Sequence, residues 1–325
     1  MPMGLSNATS TFQRAMQDVF RGMNWLYVLI YLDDIIIFSN TFEEHLCHLS
    51  EVFARLESSG LKLKPNKCHF AFPELSYLGH VVSRDGISTD PEKIRALIDY
   101  AVPKTLKQLR SFLGFVGYYR KFIEDYSTIV KPLYDLVRKD VKFLWSVECQ
   151  CAFDRIKSIL TEAPVLAFAK FDGTPFLLQT DASNVGLSYV LSQVQDDVER
   201  VISYGSRTLT DSEKVYSTIE LEALAIITGI KKYEHYLQSC DEFVVITDNN
   251  PLVWLMNRKV VTGRLGRWAL FLQQYNFRIE HRSGVKNNAD ASSREPVDEI
   301  EPINVLRNHV DIYKEVDEYM SCTWC

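Results

Sequence analysis

The chain has 325 residues, 46% hydrophobic and 12% aromatic, with only 14 Gly and 11 Pro; at roughly 100–200 residues per domain this suits two or three domains and excludes a disordered, collagen-like or low-complexity polymer. Its 36 basic and 42 acidic residues give a net charge of −6, which on average disfavours a nucleic-acid partner. Seven irregularly placed cysteines disfavour a disulfide framework, and the early apolar run Leu26 to Leu32 falls short of the ~20 residues of a membrane span.

An amphipathic helix is predicted from Asn7 to Met23, where Phe12, Met16, Val19, Phe20 and Met23 recur at helical spacing behind a capping Asn7 or Thr9. Leu26 to Leu32 and Ile35 to Ser39 are β-rich runs flanking Asp33-Asp34, a hairpin with the acidic pair at its tip. A helix from Phe42 to Ser59 stops at Gly60. Strands are expected at Lys67 to Phe72 and Leu75 to Ser83, with Asp85-Gly86 as a turn. From Asp90 to Glu162 the pattern is helical throughout. Strands return at Pro175 to Ala182, Gly186 to Gln193 and Arg200 to Arg207. A long helix, Ser217 to Leu237, leads to a strand at Glu242 to Asp248. Helices near Pro251 to Met256 and Arg264 to Tyr275, a strand at Phe277 to His281 and a helix begun by Asn288 complete the unit. The order βββαβαβα describes one α/β unit of about 125 residues.

The average charge conceals two opposed segments. Glu295 to Cys325 holds eight acidic and two basic residues, the whole net charge, and has the composition of poorly ordered chain. Val102 to Lys142 holds nine basic and four acidic residues, interleaved with Phe112, Phe115, Tyr118, Tyr119, Phe122 and Tyr126. That is the pattern of a phosphate-facing patch, with a solvated helix face as the plain alternative.

Four carboxylates in the second half stand out. Asp181 and Asp248 end apolar strands, Glu222 adjoins the stripe of Ile219, Ala223, Ile226, Ile227, Ile230, Tyr233 and Leu237, and Asp290 starts the last helix. Taken singly, each is ordinary as a turn, surface or helix-start residue. Jointly they are expected at one rim of the sheet, where they repel unless cations lie between them. Oxygen donors without Cys or His favour Mg²⁺ or Mn²⁺, and two such ions suit phosphodiester hydrolysis. Glu220 competes with Glu222, but its i+4 neighbour Leu224 lies off the stripe, which favours Glu222. Asp33 and Asp34, at the edge of a buried sheet, suit metal-assisted phosphoryl transfer.

The segments MPMGLSNATSTFQ, YLDDIIIFS, YLGHVVSRDGI, LRSFLGFVGYYRKFI, YSTIELEALA, ITDNNPLVWL, GRLGRWALFLQQYNF and NNADASSR, with TDAS around Asp181, resemble the reverse transcriptase and ribonuclease H region of the Pol polyprotein of gypsy-type LTR retrotransposons, over residues 1 to 295. The resemblance implies a multidomain α+β chain of the α/β class: part of a polymerase palm over 1–86, a helical thumb and connection over 87–165, a ribonuclease H-like domain over 166–295 and an acidic tail over 296–325. It implies that Asp33 and Asp34 are polymerase metal ligands and that Asp181, Glu222, Asp248 and Asp290 are ribonuclease H ligands of Mg²⁺ or Mn²⁺. Gly4, Phe12 and Gln13 resemble the segment beside the incoming nucleotide. Leu78, Gly79 and His80 resemble the strand that grips the primer end, and Arg110, Arg120 and Lys121 lie in the implied thumb. His281 falls near a position where some relatives keep a catalytic His.

The family usually has Phe where Met3 stands and Pro where Thr9 stands, departures expected to weaken nucleotide fit. Relatives also carry a third polymerase Asp on an earlier strand. The expectation is therefore a truncated Pol fragment that hydrolyses RNA in RNA/DNA hybrids and has lost polymerase activity. An inactive nucleic-acid-binding remnant is the alternative. Expected partners are hybrid, DNA, RNA and the rest of the polyprotein, with no membrane. The expected setting is intracellular, in a virus-like particle if the element is active.

Overall fold

The computed structural model describes residues 5, 7–247 and 263–282. The chain divides into two compact units, Met1–Leu75 and Ser76–Cys325.

In the first unit, α1 (Ala8–Val19) precedes the antiparallel hairpin of β1 (Val28–Tyr31) and β2 (Asp34–Ile37), and α2 (Phe42–Ser58) follows. The Thr41 side chain accepts a hydrogen bond from the Glu44 amide, and Glu43 and Glu44 complement the positive end of α2. Met16, Phe20, Met23, Val28, Val52 and Leu56 form the core. Each such apolar side chain, once buried, contributes roughly 1.5–3 kcal/mol. The strand expected over Lys67 to Phe72 does not form. Pro65–Lys67 is one 3₁₀ turn, and Phe70 and Phe72 stay 50% and 60% exposed. With Pro65 and Pro73 flanking it, this run pairs with no strand among the described residues.

The division falls within β3 (Glu74–Tyr77), which with β4 (His80–Ser83) and β5 (Gly86–Thr89) forms a sheet ordered β3-β4-β5. One strand was expected from Leu75 to Ser83; two left-handed residues, Leu78 (φ 47°) and Gly79 (φ 71°), break it into two. Ser83 pairs with Gly86, so the next loop is Arg84-Asp85 rather than Asp85-Gly86.

Helices α3 (Pro91–Ile98), α4 (Leu106–Tyr118), α5 (Tyr126–Asp135) and α6 (Val147–Thr161) follow. Asp90, Thr105 and Ser146 cap three of them. Leu97, Leu109, Phe112, Val116, Val130, Phe153 and Ile156 are buried between them.

The last sheet contains β6 (Phe176–Ala182), β7 (Gly186–Gln195), β8 (Val198–Thr208), β9 (Phe243–Thr247) and β10 (Phe277–His281), in the order β10-β9-β6-β7-β8. The first three are antiparallel in sequence, and β9 and β10 run parallel to β6. Helix α7 (Thr218–Lys232) packs on β6 and β7, and α9 (Gly263–Leu272) packs on α7. The expected unbroken helix to Leu237 is interrupted at Tyr233, which is 2% exposed and donates from its hydroxyl to the Ser203 carbonyl at 3.0 Å; α8 (Glu234–Leu237) follows it.

The helical region is tied to this sheet. Leu166 exchanges two 2.8 Å backbone hydrogen bonds with Ile87, and the Ala167 amide donates to the Val201 carbonyl at 2.8 Å. Gly86 permits the approach, because a Cβ there would lie 2.1 Å from the Leu166 oxygen. The expected α/β class and the order βββαβαβ are therefore present. The expected helices near Pro251 and from Asn288, and the acidic tail, lie outside the described residues.

Candidate functional site

The acidic hairpin is held from behind. Tyr31 pairs with Asp34, leaving Leu32-Asp33 as a two-residue loop with Leu32 at φ 56°. A positive φ at the first central residue suits the twist of a tight hairpin, though it costs a leucine roughly 1–2 kcal/mol. Gln13 offsets that cost: its Nε2 donates to the Ile30 carbonyl at 3.1 Å, and its Oε1 accepts from the Leu32 amide at 2.6 Å. Asp33 and Asp34 are both exposed. Asp33 is at the tip, and Asp34 is the first residue of β2. Gln13, expected beside a nucleotide, has both ends of its amide on the hairpin, while Phe12 is 41% exposed. Gly4 lies outside the described residues.

In the five-stranded sheet, Asp181 is exposed near the C-terminal end of β6, paired with Ser188. The neighbouring β9 runs parallel, with Gln179 opposite Ile246, so both strands end on one edge of the sheet. Asp248 follows Thr247 in sequence. Glu222 is 4% exposed on α7, flanked one turn on by Ala225 and Ile226 at 0% and 1%. Glu220 has other employment. It completes a capping box with Ser217 and accepts from Arg264 Nη1 at 3.2 Å. The preference for Glu222 over Glu220 rests in the sequence on Leu224 lying off the apolar stripe. That ground is corrected, since Leu224 is 8% exposed and α7 is buried nearly all round.

Asp248 and Asp290 lie outside the described residues. Among the described residues no three His, Cys, Asp or Glu side chains are grouped to hold a metal ion. The carboxylate-only donors nonetheless suit a hard divalent cation. His281 ends β10, exposed, opposite Thr247.

The Leu78-Gly79 turn sits beside the helical region. His80 stacks on Tyr118 with centroids 5.0 Å apart. Burial pushes the His80 pKa down to about 4, and the nearby Lys121 charge acts in the same direction. Arg110 and Arg120 are exposed, whereas burial lowers the pKa of Lys121. The interleaved aromatics do not form a stacking surface. Phe112, Tyr119, Phe122 and Tyr126 are core, and only Tyr118, at 51%, opens widely to solvent. Periodicity alone missed Tyr119 and Arg264, because their partners lie 40 and 44 residues away in sequence.

Among the described residues no helix is long and apolar enough to cross a membrane. Residues 1–82 match the family model for reverse transcriptase (RNA-dependent DNA polymerase), and residues 172–275 match that for the RNase H-like domain found in reverse transcriptase. The chain is 42% identical over 301 residues to the retrovirus-related Pol polyprotein from transposon 297 of Drosophila melanogaster, covering 92% of this chain and 28% of that protein. It is 36% identical to the Pol polyprotein from transposon opus of the same fly, over 98% of this chain and 32% of that protein. It is 37% identical to the transposon Tf2-3 polyprotein of Schizosaccharomyces pombe, over 93% and 23%. The chain thus spans about a quarter to a third of these relatives. The fold matches a foamy viral protease-reverse transcriptase in complex with RNA/DNA hybrid, with TM-score 0.73 and 23% identity over 94% of this chain and 42% of that one. Another structure of the foamy viral protein, in complex with dsDNA, matches with TM-score 0.76 and 23% identity over 89% and 60%. With both models matched in order and these relatives aligned along more than nine-tenths of its length, the chain belongs to the reverse transcriptase and ribonuclease H region of gypsy-type LTR-retrotransposon Pol polyproteins.

Proposed function

We propose that this chain hydrolyses the RNA strand of RNA/DNA hybrids at a centre formed by Asp181, Glu222, Asp248 and Asp290. The observation that carries the reading is Glu222, a carboxylate buried in a helix packed on β6, the strand that carries Asp181. The sequence puts Asp248 directly after the neighbouring parallel strand. The four side chains would hold Mg²⁺ or Mn²⁺. Two such ions, when bound, supply an activated water and stabilise the leaving oxygen.

The chain's own part is to place and orient. Parts of the chain named in the resemblance carry over as proposals: palm over 1–86, thumb and connection over 87–165, ribonuclease H over 166–295. The exposed Arg110 and Arg120, with Lys121, would take hybrid phosphates, and the β3–β4 turn would face the primer end. Asp33 and Asp34 would serve DNA synthesis in the whole polyprotein. Two carboxylates on one hairpin do not close a two-metal site by themselves.

The test is cleavage of end-labelled hybrid with and without Mg²⁺. Asp248→Asn is expected to abolish Mg²⁺-dependent cleavage and to raise the metal-free melting temperature by relieving repulsion. Cleavage at the wild-type rate by that variant refutes the assignment. Salt-sensitive binding by the wild-type chain with no cleavage identifies an inactive binder instead.

A further inference from the structure

The Leu78-Gly79 turn is held by a pair of hydroxyls that the function above does not use. Both residues are left-handed, at φ 47° and 71°, and join β3 to β4 as a two-residue loop. Leucine disfavours that conformation, and nothing local in its side chain compensates. In a loop of this type the two central carbonyls lie outside the strand ladder and ordinarily face water. Here both are taken. The Tyr118 hydroxyl donates to the Leu78 carbonyl, and the Tyr119 hydroxyl donates to the Gly79 carbonyl at 2.6 Å.

The donors are consecutive residues at the end of α4. Tyr119 is 1% exposed, and burial pushes its hydroxyl pKa up to about 12, so it remains a proton donor at any working pH. A Cβ on Gly79 would lie 3.5 Å from the Tyr118 ring and 3.6 Å from the Tyr119 hydroxyl. His80 closes the cluster, stacked on Tyr118 and edge-on to Tyr119. One side stays open: Leu78 is 37% exposed and Tyr118 51%.

We propose that Tyr118 and Tyr119 are positioning residues for the primer 3′ end, their hydroxyls fixing the Leu78-Gly79 turn so that α4 and the turn meet the terminal nucleotide as one rigid element. The proposal rests on the reading that this turn faces the primer end. Neither tyrosine reacts. Each acts by holding a backbone carbonyl in place.

The test uses the full chain, Tyr118→Phe, Tyr119→Phe and the double variant. The ligand is an RNA/DNA hybrid with a recessed DNA 3′ end carrying 2-aminopurine at the terminal position. The control is the same hybrid with that end closed by a hairpin loop. Losing two hydrogen bonds is expected to weaken binding of the recessed end about tenfold, with binding of the closed hybrid unchanged. Equal weakening for both ligands marks a merely structural role and overturns the proposal. So does wild-type affinity for the recessed end in the double variant while the wild-type chain perturbs the terminal probe. If the wild-type chain leaves the terminal probe unperturbed, the underlying reading fails instead, and the proposal with it. Should the double variant not fold, Tyr118→Phe at the exposed position carries the test, with about threefold expected.

Discussion

Glu213→Gln tests how the loop before α7 is held, and therefore how Glu222 is delivered. Arg207 donates Nη1 to Glu213 Oε2 at 2.7 Å and Nη2 to Oε1 at 2.8 Å, and the Thr210 amide adds a 2.8 Å bond to Oε2. The Glu213 side chain is 14% exposed and that of Arg207 31%. The side-chain hydrogen bonds from Arg207, with the Thr210 bonds and the guanidinium charge, bring the carboxyl from 4.5 down to about 2. Holding it there is worth about 3 kcal/mol. Solvent screening of the partly exposed Arg207 reduces that, so the substitution should cost about 2 kcal/mol at pH 7. In a unit of this size the cost corresponds to a melting temperature lower by about 4–8 °C.

The sign with pH follows. Native Glu213 is charged well below the pH at which the unfolded carboxyl protonates, so its contribution is complete above pH 4.5 and lost as pH falls toward 2. Calorimetry of wild type and variant should therefore show a gap at pH 7 that closes on acidification. A gap under 2 °C at pH 7, or one that widens toward acid, refutes the reasoning.

Three further outcomes are expected. Glu220→Ala should lower stability by about 1 kcal/mol through loss of the capping box and leave hybrid cleavage within about threefold. Glu222→Gln should reduce cleavage by more than about 100-fold without loss of stability, and the reverse pattern would exchange their roles. Gln13→Leu removes both bonds that brace the acidic hairpin, so hydrogen exchange at the Leu32 amide should quicken about tenfold or more; unchanged protection there means the hairpin holds itself.

Much of the fold was legible because its signals are local. The ranges expected for the three antiparallel strands β6 to β8 match those observed, the apolar run FVVIT marked β9, and the start expected for α7 at Ser217 falls within a residue of the observed one. The hairpin followed from two β-rich runs around Asp33-Asp34, but its loop is Leu32-Asp33, one residue earlier than expected, so that Asp34 belongs to β2. The failures share one cause. Lys67 to Phe72 has the composition of a strand but pairs with none among the described residues, and Leu78-Gly79 is held by distant tyrosines. Tyr118 and Tyr119 were counted with a basic aromatic patch, yet one is core and both spend their hydroxyls on a backbone 40 residues away.

The sequence by itself nominated the candidate carboxylates, since their places at strand ends and beside an apolar helical stripe are set by residue type and period. Only the tertiary structure decided what those residues can do. It showed Glu220 engaged by Ser217 and Arg264 while Glu222 stays buried, and Gln13 bonded to the hairpin rather than turned to solvent. Hydrogen bonds between segments far apart in sequence obey no period, so they become visible only once the chain is packed.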